Sequence, residues 1–300
     1  MKKVVIIGGA VMDFFAYPHQ KMILHDSNPG YIKKSFGGVG RNIAENLVRL
    51  DIDTTLITVI GKDDMGKTIL DACKKIHIRM VYKSVETTPI YLSLMDEFNE
   101  DLIGVAAMDQ ILELDEVFLE SVQHVTDAAD ILVVDTNLSE SAMKYIFTEL
   151  DQDIYVDAIS SQKAIKIKPF LHKIYGLKLN LLEAELLTGI KYETMEDLNK
   201  MGDYLIERGV REVFITLGKE GAYYTNIRQA FFRNAIPVEV KNGIGAGDAF
   251  FAGALYAKAR QKDPLVYGMV NAYLNLKADK AVSDKLSVEL IEKTKKELHL

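Results

Sequence analysis

The sequence predicts an α/β fold in which helices flank a mainly parallel central sheet and a small second sheet is inserted. Short apolar runs rich in β-branched residues recur along the chain, as expected for strands buried on both faces of a parallel sheet. Amphipathic segments alternate with these runs, which is typical of βαβ units. Two segments interrupt the alternation and have the pattern of β-hairpins, so they predict a small sheet of their own.

The first apolar run, residues 4–7, predicts a buried opening strand that Gly8 and Gly9 stop, and Asp13 is expected where this strand ends. Apolar residues four apart predict a helix over 43–50, and Thr188-Gly189 is a plausible end for a second helix over 182–187. The further runs that predict strands are 54–59, 131–134, 154–156, 174–179 and Glu212–Thr216.

The two hairpins are expected within about 14–36 and 87–107. The first contains the turn cluster 26–30, and the second has the polar loop 96–101 between its apolar halves. Because both segments interrupt one α/β pattern, the sequence predicts a single domain over residues 1–300 with two insertions.

Composition excludes several classes of protein. The 300 residues carry a net charge of -7, whereas proteins that grip nucleic acid usually have a basic excess. No apolar run approaches the length of a membrane span. The one cysteine, Cys73, cannot form an internal disulfide, which fits a reducing cytoplasm.

The sharpest local feature is a glycine-rich turn that enters an apolar helix. Gly245, Ala246 and Gly247 precede Asp248, and residues 249–256 are apolar nearly all round. A helix N-terminus with glycines offers free N–H groups to an anion such as a phosphate. A carboxylate there could accept the proton of a hydroxyl that attacks a phosphoryl group, although Asp248 could equally cap the helix.

Two other motifs place polar groups at helix starts. The glycine-rich segment 37–42 ends in Asn42, which offers a donor and an acceptor to sugar hydroxyls, or is simply a loop residue. Asn180 and Glu183 lie three apart after a predicted strand, where they could organise Mg²⁺ and phosphate oxygens. A capping box formed by Asn180 and Glu183 is the alternative.

Two strand ends complete the candidates. The turn from Thr216 through Gly218 to Gly221 could contact ATP or merely reverse the chain. Asp13 could accept two sugar hydroxyls over the ligand crevice, or it could form a turn.

In this order, these motifs resemble the ribokinase-like (PfkB) family of sugar and nucleoside kinases across essentially the whole chain. The resemblance implies an ATP-dependent phosphotransferase with Mg²⁺, in which the two hairpins form a β-sheet lid. It implies that Asp248 is the catalytic base and that Gly245, Ala246 and Gly247 form the anion hole. The other residues to which it assigns roles are Asn180, Thr216, Gly218, Gly221 and Asn271 for ATP, Asp13, Gly38, Asn42 and Asn137 for the substrate, and Glu183 for Mg²⁺, through water.

Within the family the chain most resembles members that phosphorylate pseudouridine. This narrower resemblance depends on several segments: 27–30, 37–47, 91–96, 135–138 and 177–185. Another sugar or nucleoside, such as ribose, adenosine, fructose or a phosphosugar, stays open, as does a non-catalytic nucleoside sensor. A phosphosugar would require an extra cation at the substrate, for which Arg41 and Lys163 are the candidates.

One departure from the family concerns the monovalent cation. Many members carry Asp-Thr-Thr before the anion-hole glycines, whereas this chain has Asn242-Gly243-Ile244. The missing carboxylate weakens the expectation of activation by K⁺. The open edge of the predicted lid suggests a homodimer formed through the lid.

Overall fold

The computed structural model describes residues 2–98 and 101–300, which form two β-sheets and the helices that cover the larger sheet. The strands are β1 (Lys3–Ile7), β2 (Val11–Pro18), β3 (Gly30–Gly37), β4 (Asp53–Gly61), β5 (Arg79–Val85), β6 (Ile90–Met95), β7 (Asp101–Ala107), β8 (Ile131–Asp135), β9 (Ile154–Asp157), β10 (Gly176–Asn180), β11 (Glu212–Thr216), β12 (Gly221–Asn226) and β13 (Gln229–Asn234).

The helices are α1 (Val39–Arg49), α2 (Asp64–Lys75), α3 (Glu116–Ser121), α4 (Gln123–Thr126), α5 (Glu140–Glu149), α6 (Ser161–Ala164), α7 (Leu181–Thr188), α8 (Met195–Glu207), α9 (Ala246–Ala259), α10 (Pro264–Leu276) and α11 (Val288–Glu297). Short 3₁₀ segments occupy Asp109–Glu113, Ile165–Lys173 and Gly218–Glu220. No helix of the described part of the chain is both long enough and apolar enough to span a bilayer.

The larger sheet has the order β13-β12-β11-β10-β9-β8-β1-β4-β5, and all neighbours from β11 to β5 are parallel. The two faces of β1 bury alternate residues: Val4 and Ile6 pack into one core, and Val5 and Ile7 into the other. A strand that is apolar on both faces therefore lies between two layers of helices, as expected of a parallel sheet. The predicted fold class is confirmed.

The smaller sheet has the order β3-β2-β6-β7 and consists of the two predicted hairpins. The β2–β3 and β6–β7 pairs are antiparallel, and β2 pairs with β6 in parallel. Of the predicted polar loop 96–101, Asn99 and Glu100 lie outside the described residues, and Asp101 already belongs to β7.

Three local expectations need correction. Asp13 does not end the first strand: β1 ends at Ile7, and Asp13 lies inside β2 of the smaller sheet. Helix α1 begins at Val39 rather than residue 43, because Gly38 takes a positive φ of 89° and serves as its N-cap. Strands β5 and β13 were not predicted, since exposed residues break their apolar pattern. Strand β12 is almost wholly buried and was missed because Thr225 is its only β-branched residue.

Candidate active site

The carboxyl ends of neighbouring parallel strands bring polar side chains together along one edge of the larger sheet. Asp135 of β8 is in register with Asp157 of β9, and Asn180 of β10 is in register with Thr216 of β11. Ligands of open α/β sheets bind in the crevice outside these ends.

Helix α9 begins above this edge at a sharp turn. Its N-cap, Gly245, has a positive φ of 75°, and a Cβ there would lie 2.3 Å from the carbonyl oxygen of Ala281. Only glycine fits such a position without strain. The first turn of α9 consists of Ala246, Gly247 and Asp248, so its backbone N–H groups and the positive end of the helix dipole are available to an anion.

Asp248 is buried in this first turn, with 9% of its surface exposed. Its Oδ2 accepts a hydrogen bond of 2.7 Å from Nδ2 of Asn42 in α1. No side-chain hydrogen bond caps α9, so the alternative in which Asp248 merely caps its own helix is wrong. The carboxylate is instead held from across the site.

Burial, followed by the nearby carboxylate of Asp157, raises the pKa of Asp248 to about 6. Lys178, the hydrogen bond from Asn42 and the charge of Arg41 lower this pKa, so they limit the rise. A carboxylate with a pKa near the working pH is well matched to general base catalysis.

We expect the rate of any reaction that uses Asp248 as a base to rise with pH and level off above about pH 6, because only the ionised carboxylate can take a proton. The pH profile of kcat at saturating substrate measures this. A profile that is flat from pH 5 to 8 would exclude Asp248 as the base.

Asp13 enters the site from the smaller sheet. A Cβ added at Gly37 would lie 2.0 Å from Asp13 Oδ2, so this carboxylate lies directly against that glycine. Burial raises the pKa of Asp13 to about 7; the Arg41 charge lowers it and Asp248 raises it. Asp13 of the smaller sheet and Asp248 of helix α9 therefore influence each other across the crevice. Gly38, the next residue after Gly37, lies against the backbone of Gly9.

Asn137 follows β8 on the other side of the crevice. Its backbone N–H donates to Asp135 Oδ1 at 2.9 Å, and Gly9 N–H donates to Asp135 Oδ2 at 2.7 Å. Lys163 Nζ donates to Asn137 Oδ1 at 2.5 Å. Asp135 therefore fixes the loops that carry Gly9 and Asn137, and Asn137 keeps its amide nitrogen for a ligand.

A largely apolar cavity of about 620 Å³ opens beside the start of α9. Its lining includes five of the predicted residues: Thr216, Gly218, Gly221, Ala246 and Gly247. The other walls are apolar and aromatic side chains, among them Phe250, Met269 and Tyr273. A cleft of this size, with backbone N–H groups at one end, suits a planar base with phosphates.

Asn271, which is expected near the adenine, does not itself line this cavity. Its side chain is buried, with 1% of the residue exposed, and its Nδ2 donates to Asn46 Oδ1 and to the carbonyl of Ala249. Asn271 thus connects α10 to α1 and α9, while its neighbours Ala272 and Tyr273 line the cavity.

Asn180 and Glu183 form the capping box that was the alternative interpretation. Asn180 Oδ1 accepts from Glu183 N–H at 2.9 Å, and the Glu183 oxygens accept from the N–H and Nδ2 of Asn180 at 2.8 and 2.7 Å. Within the described residues, no three His, Cys, Asp or Glu side chains are grouped to hold a metal. Both carboxylate oxygens of Glu183 already accept hydrogen bonds from Asn180, so Glu183 fits Mg²⁺ through water rather than as a direct ligand.

The structure adds a buried ion pair that sequence reasoning missed. Lys178 Nζ lies 3.1 Å from Asp157 Oδ2 and donates to Oδ1 at 3.2 Å, while Oδ2 accepts no hydrogen bond from any described residue. A Cβ added at Gly247 would be 3.0 Å from this ammonium. Burial opposes the charge on Lys178, but Asp157 and neighbouring carboxylates outweigh it, so the Lys178 pKa is raised. The sequence signal that could have indicated this ion pair is a lysine within the otherwise apolar predicted strand 174–179.

The chain is similar to several known proteins. The family model "pfkB family carbohydrate kinase" matches residues 1–265. The pseudouridine kinase of Escherichia coli (strain K12) is 34% identical over 255 residues, which are 83% of this chain and 82% of that relative. The ribokinase of Staphylococcus aureus (strain COL) is 27% identical over 276 residues, 88% of each chain. A carbohydrate kinase structure from Agrobacterium tumefaciens superposes with a TM-score of 0.86 at 27% identity, covering 99% of this chain and 97% of that one.

Proposed function

The chain belongs to the pfkB family of carbohydrate kinases, and on that premise we propose that it transfers the γ-phosphoryl group of ATP to the 5′-hydroxyl of pseudouridine. The observation that carries the chemistry is the buried Asp248 at the N-terminus of α9, held by Asn42. The similarity to the Escherichia coli pseudouridine kinase carries the choice of substrate.

In this proposal Asp248 accepts the proton of the attacking hydroxyl as the new O–P bond forms, because a neutral hydroxyl is a weak nucleophile. The bond between the γ-phosphorus and the β–γ bridging oxygen breaks as the new bond forms, and ADP leaves with that oxygen. The backbone of Gly245, Ala246 and Gly247 holds the oxygens of the transferring phosphoryl group, and Lys178 beneath Gly247 supplies a positive charge. The smaller sheet acts as a lid that keeps water away from the phosphoryl group.

Binding is divided between the two sides of α9. The cavity that contains Thr216, Gly218 and Gly221 would take the nucleotide, with Asn180 near its phosphates. Asp13, Gly38, Asn42 and Asn137 would hold the ribose part of the acceptor. When bound, Mg²⁺ would neutralise phosphate charge, and Glu183 would face it through water.

We do not assign a role to K⁺. Asn242, which stands where many relatives have aspartate, accepts a hydrogen bond from Ile244 N–H at 2.9 Å. Its side chain therefore stabilises the turn before α9 and brings no negative charge to a cation. Turnover that does not change when K⁺ is exchanged for tetramethylammonium would support this view, and strong K⁺ activation would contradict it.

A neutral acceptor suits the substrate side better than a phosphosugar. The cation expected for a sugar phosphate, Arg41, is buried and paired with Glu45 at 2.5 Å. Lys163 is bonded to Asn137. Asp13 and Asp248 would repel an anion placed between them.

The experiment that tests the substrate is an ADP-release assay across pseudouridine, uridine, adenosine, ribose and fructose 6-phosphate. We expect pseudouridine to give the highest kcat/KM. Turnover of another acceptor without turnover of pseudouridine would reject the substrate and leave the kinase assignment intact. A D248N variant provides the blank for contaminating ATPase.

We also propose that two copies pair through the lid. Strand β7 is an edge of the smaller sheet and exposes Leu102, Ile103 and Val105 by 51–54%. Exposed apolar edge strands commonly pair with a second chain. Light scattering at micromolar concentration would reject this dimer if it gave the mass of one chain.

Because the single cysteine is buried and free, we place the enzyme in a reducing cytoplasm, which cell fractionation would test.

A further inference from the structure

Arg41 lies at the start of helix α1, between the smaller sheet and Asp248, and only 4% of its surface is exposed. Its Nε donates to the carbonyl of Gly37 at 3.1 Å, and its Nη2 donates to the carbonyl of Phe36 at 3.0 Å. These carbonyls belong to the last residues of strand β3. Arg41 Nη1 donates to Glu45 Oε2 at 2.5 Å, which fixes the guanidinium from the other side.

The same guanidinium fixes the orientation of the Asn42 amide. Arg41 Nη2 donates to Asn42 Oδ1, and Asn42 Nδ2 donates to Asp248 Oδ2 at 2.7 Å. A guanidinium can only donate hydrogen bonds, so it accepts no other orientation of its amide partner. A flipped amide would turn its nitrogen toward Arg41 and its oxygen toward the Asp248 carboxylate, and both contacts would be repulsive.

We propose that Arg41 is a positioning residue for phosphoryl transfer, which holds the Asn42 amide toward Asp248 and ties this orientation to the end of lid strand β3. The proposal rests on the proposed function, since it gives Asp248 the role of base. A movement of β3 relative to α1 would break the Phe36 and Gly37 contacts of Arg41 and release the amide that aligns Asp248. The base is therefore fully aligned only when the lid strand is in place.

The charges around Asp248 allow a specific expectation for pH. Asp248 faces Asp157 from β9, Lys178 from β10, Arg41 from α1 and Asp13 from β2. Both the charge of Arg41 and the hydrogen bond from Asn42 favour the ionised form of Asp248. Loss of Arg41 removes its positive charge and disorders the hydrogen bond from Asn42, so the Asp248 pKa should rise.

Arg49 provides a matched control on the same helix. It pairs with the other oxygen of Glu45, with its Nε and Nη2 at 2.9 and 2.7 Å from Oε1, and its side chain is 18% exposed. Its further partner is Asp284, through the carbonyl at 2.9 Å and the carboxylate at 3.4 Å, and within the described part of the chain it makes no hydrogen bond to Asn42. Loss of Arg49 therefore removes a comparable ion pair without touching the amide that faces Asp248.

The experiment compares R41M, R41K and R49M by the pH profile of kcat and by KM for ATP. For R41M we expect kcat to fall about 10²-fold, as for a misplaced catalytic group, and the acid limb to move up by about one pH unit. R41K keeps the positive charge but lacks the planar guanidinium with its several donors. Its acid limb should therefore lie closer to that of the wild type than the limb of R41M does, whereas its kcat should recover less. R49M should keep both the wild-type kcat and the wild-type acid limb, and KM for ATP should stay unchanged in all three.

Equal losses of kcat in R41M and R49M, or an acid limb that R41M leaves in place, would overturn the proposal. If R41M does not fold by thermal unfolding, R41K carries the same comparison. A direct reading needs no acceptor: the pKa of Asp248 from ¹³C NMR of its carboxyl, assigned by the D248N variant, should rise in R41M and not in R49M. If the enzyme turns over no pseudouridine, this NMR comparison still decides the role of Arg41.

Discussion

Replacing Asp248 by asparagine is expected to lower kcat about 10³-fold while the KM for the acceptor changes little. The amide keeps the shape of the carboxylate, and its oxygen can still accept the hydrogen bond from Asn42 Nδ2. It cannot take up a proton, so the attacking hydroxyl keeps its own. Steady-state kinetics with saturating ATP measure the effect.

The control for this variant is D263N. Asp263 is also a carboxylate at a helix start, where it caps α10 by accepting from Leu265 and Val266 N–H. Because asparagine caps helices about as well as aspartate, D263N should keep the wild-type kcat. If D248N retained near-normal kcat, the assignment of the base would be wrong, whatever the substrate.

Replacing Lys178 by methionine is expected to lower kcat about 10²-fold, comparable to the loss of one preorganised donor at a developing anion. The ammonium lies beside Gly247 at the start of α9 and is buried, so a fixed charge acts strongly there. Methionine keeps most of the length of the side chain and removes the charge. Kinetics at saturating concentrations of both substrates measure the loss.

A buried lysine could also matter only because its removal leaves Asp157 unpaired, which destabilises proteins strongly. The double variant D157N/K178M separates these explanations, since it removes both charges. If the positive charge serves the reaction, the double variant should regain thermal stability but not kcat. Recovery of kcat in the double variant would show that Lys178 only neutralises Asp157.

The parts of the site that could be predicted from sequence are those encoded in consecutive residues. The glycines before Asp248 and the apolar helix after it stand together in the chain, so the geometry of the helix start followed from local rules. Gly38 and Asn42 were identified in the same way. The strands predicted correctly are those whose neighbours bury both faces, such as residues 4–7 and Glu212–Thr216.

The errors arise where the position of a side chain depends on distant parts of the chain. Which face of α10 meets the cavity is decided by its packing against α9, so no local pattern indicates that Asn271 turns inward. The partners of Lys178 and Arg41 come from other elements, and no local pattern indicates them. Asp13 was placed on the wrong strand because Gly8 and Gly9 let the chain leave one sheet and enter another within three residues.

The acidic side chains at the site also affect how this protein could be engineered. The pKa of Asp13 is about 7 in the folded chain, well above its ordinary value, so ionisation of Asp13 opposes folding as pH rises through that range. Substituting asparagine at position 13 removes this opposition and should raise the melting temperature at pH 8, where thermal unfolding can measure it. A selection for heat resistance at alkaline pH would therefore favour variants that have lost the carboxylate we propose as a substrate contact. Activity and thermostability should be selected together in any directed evolution of this kinase.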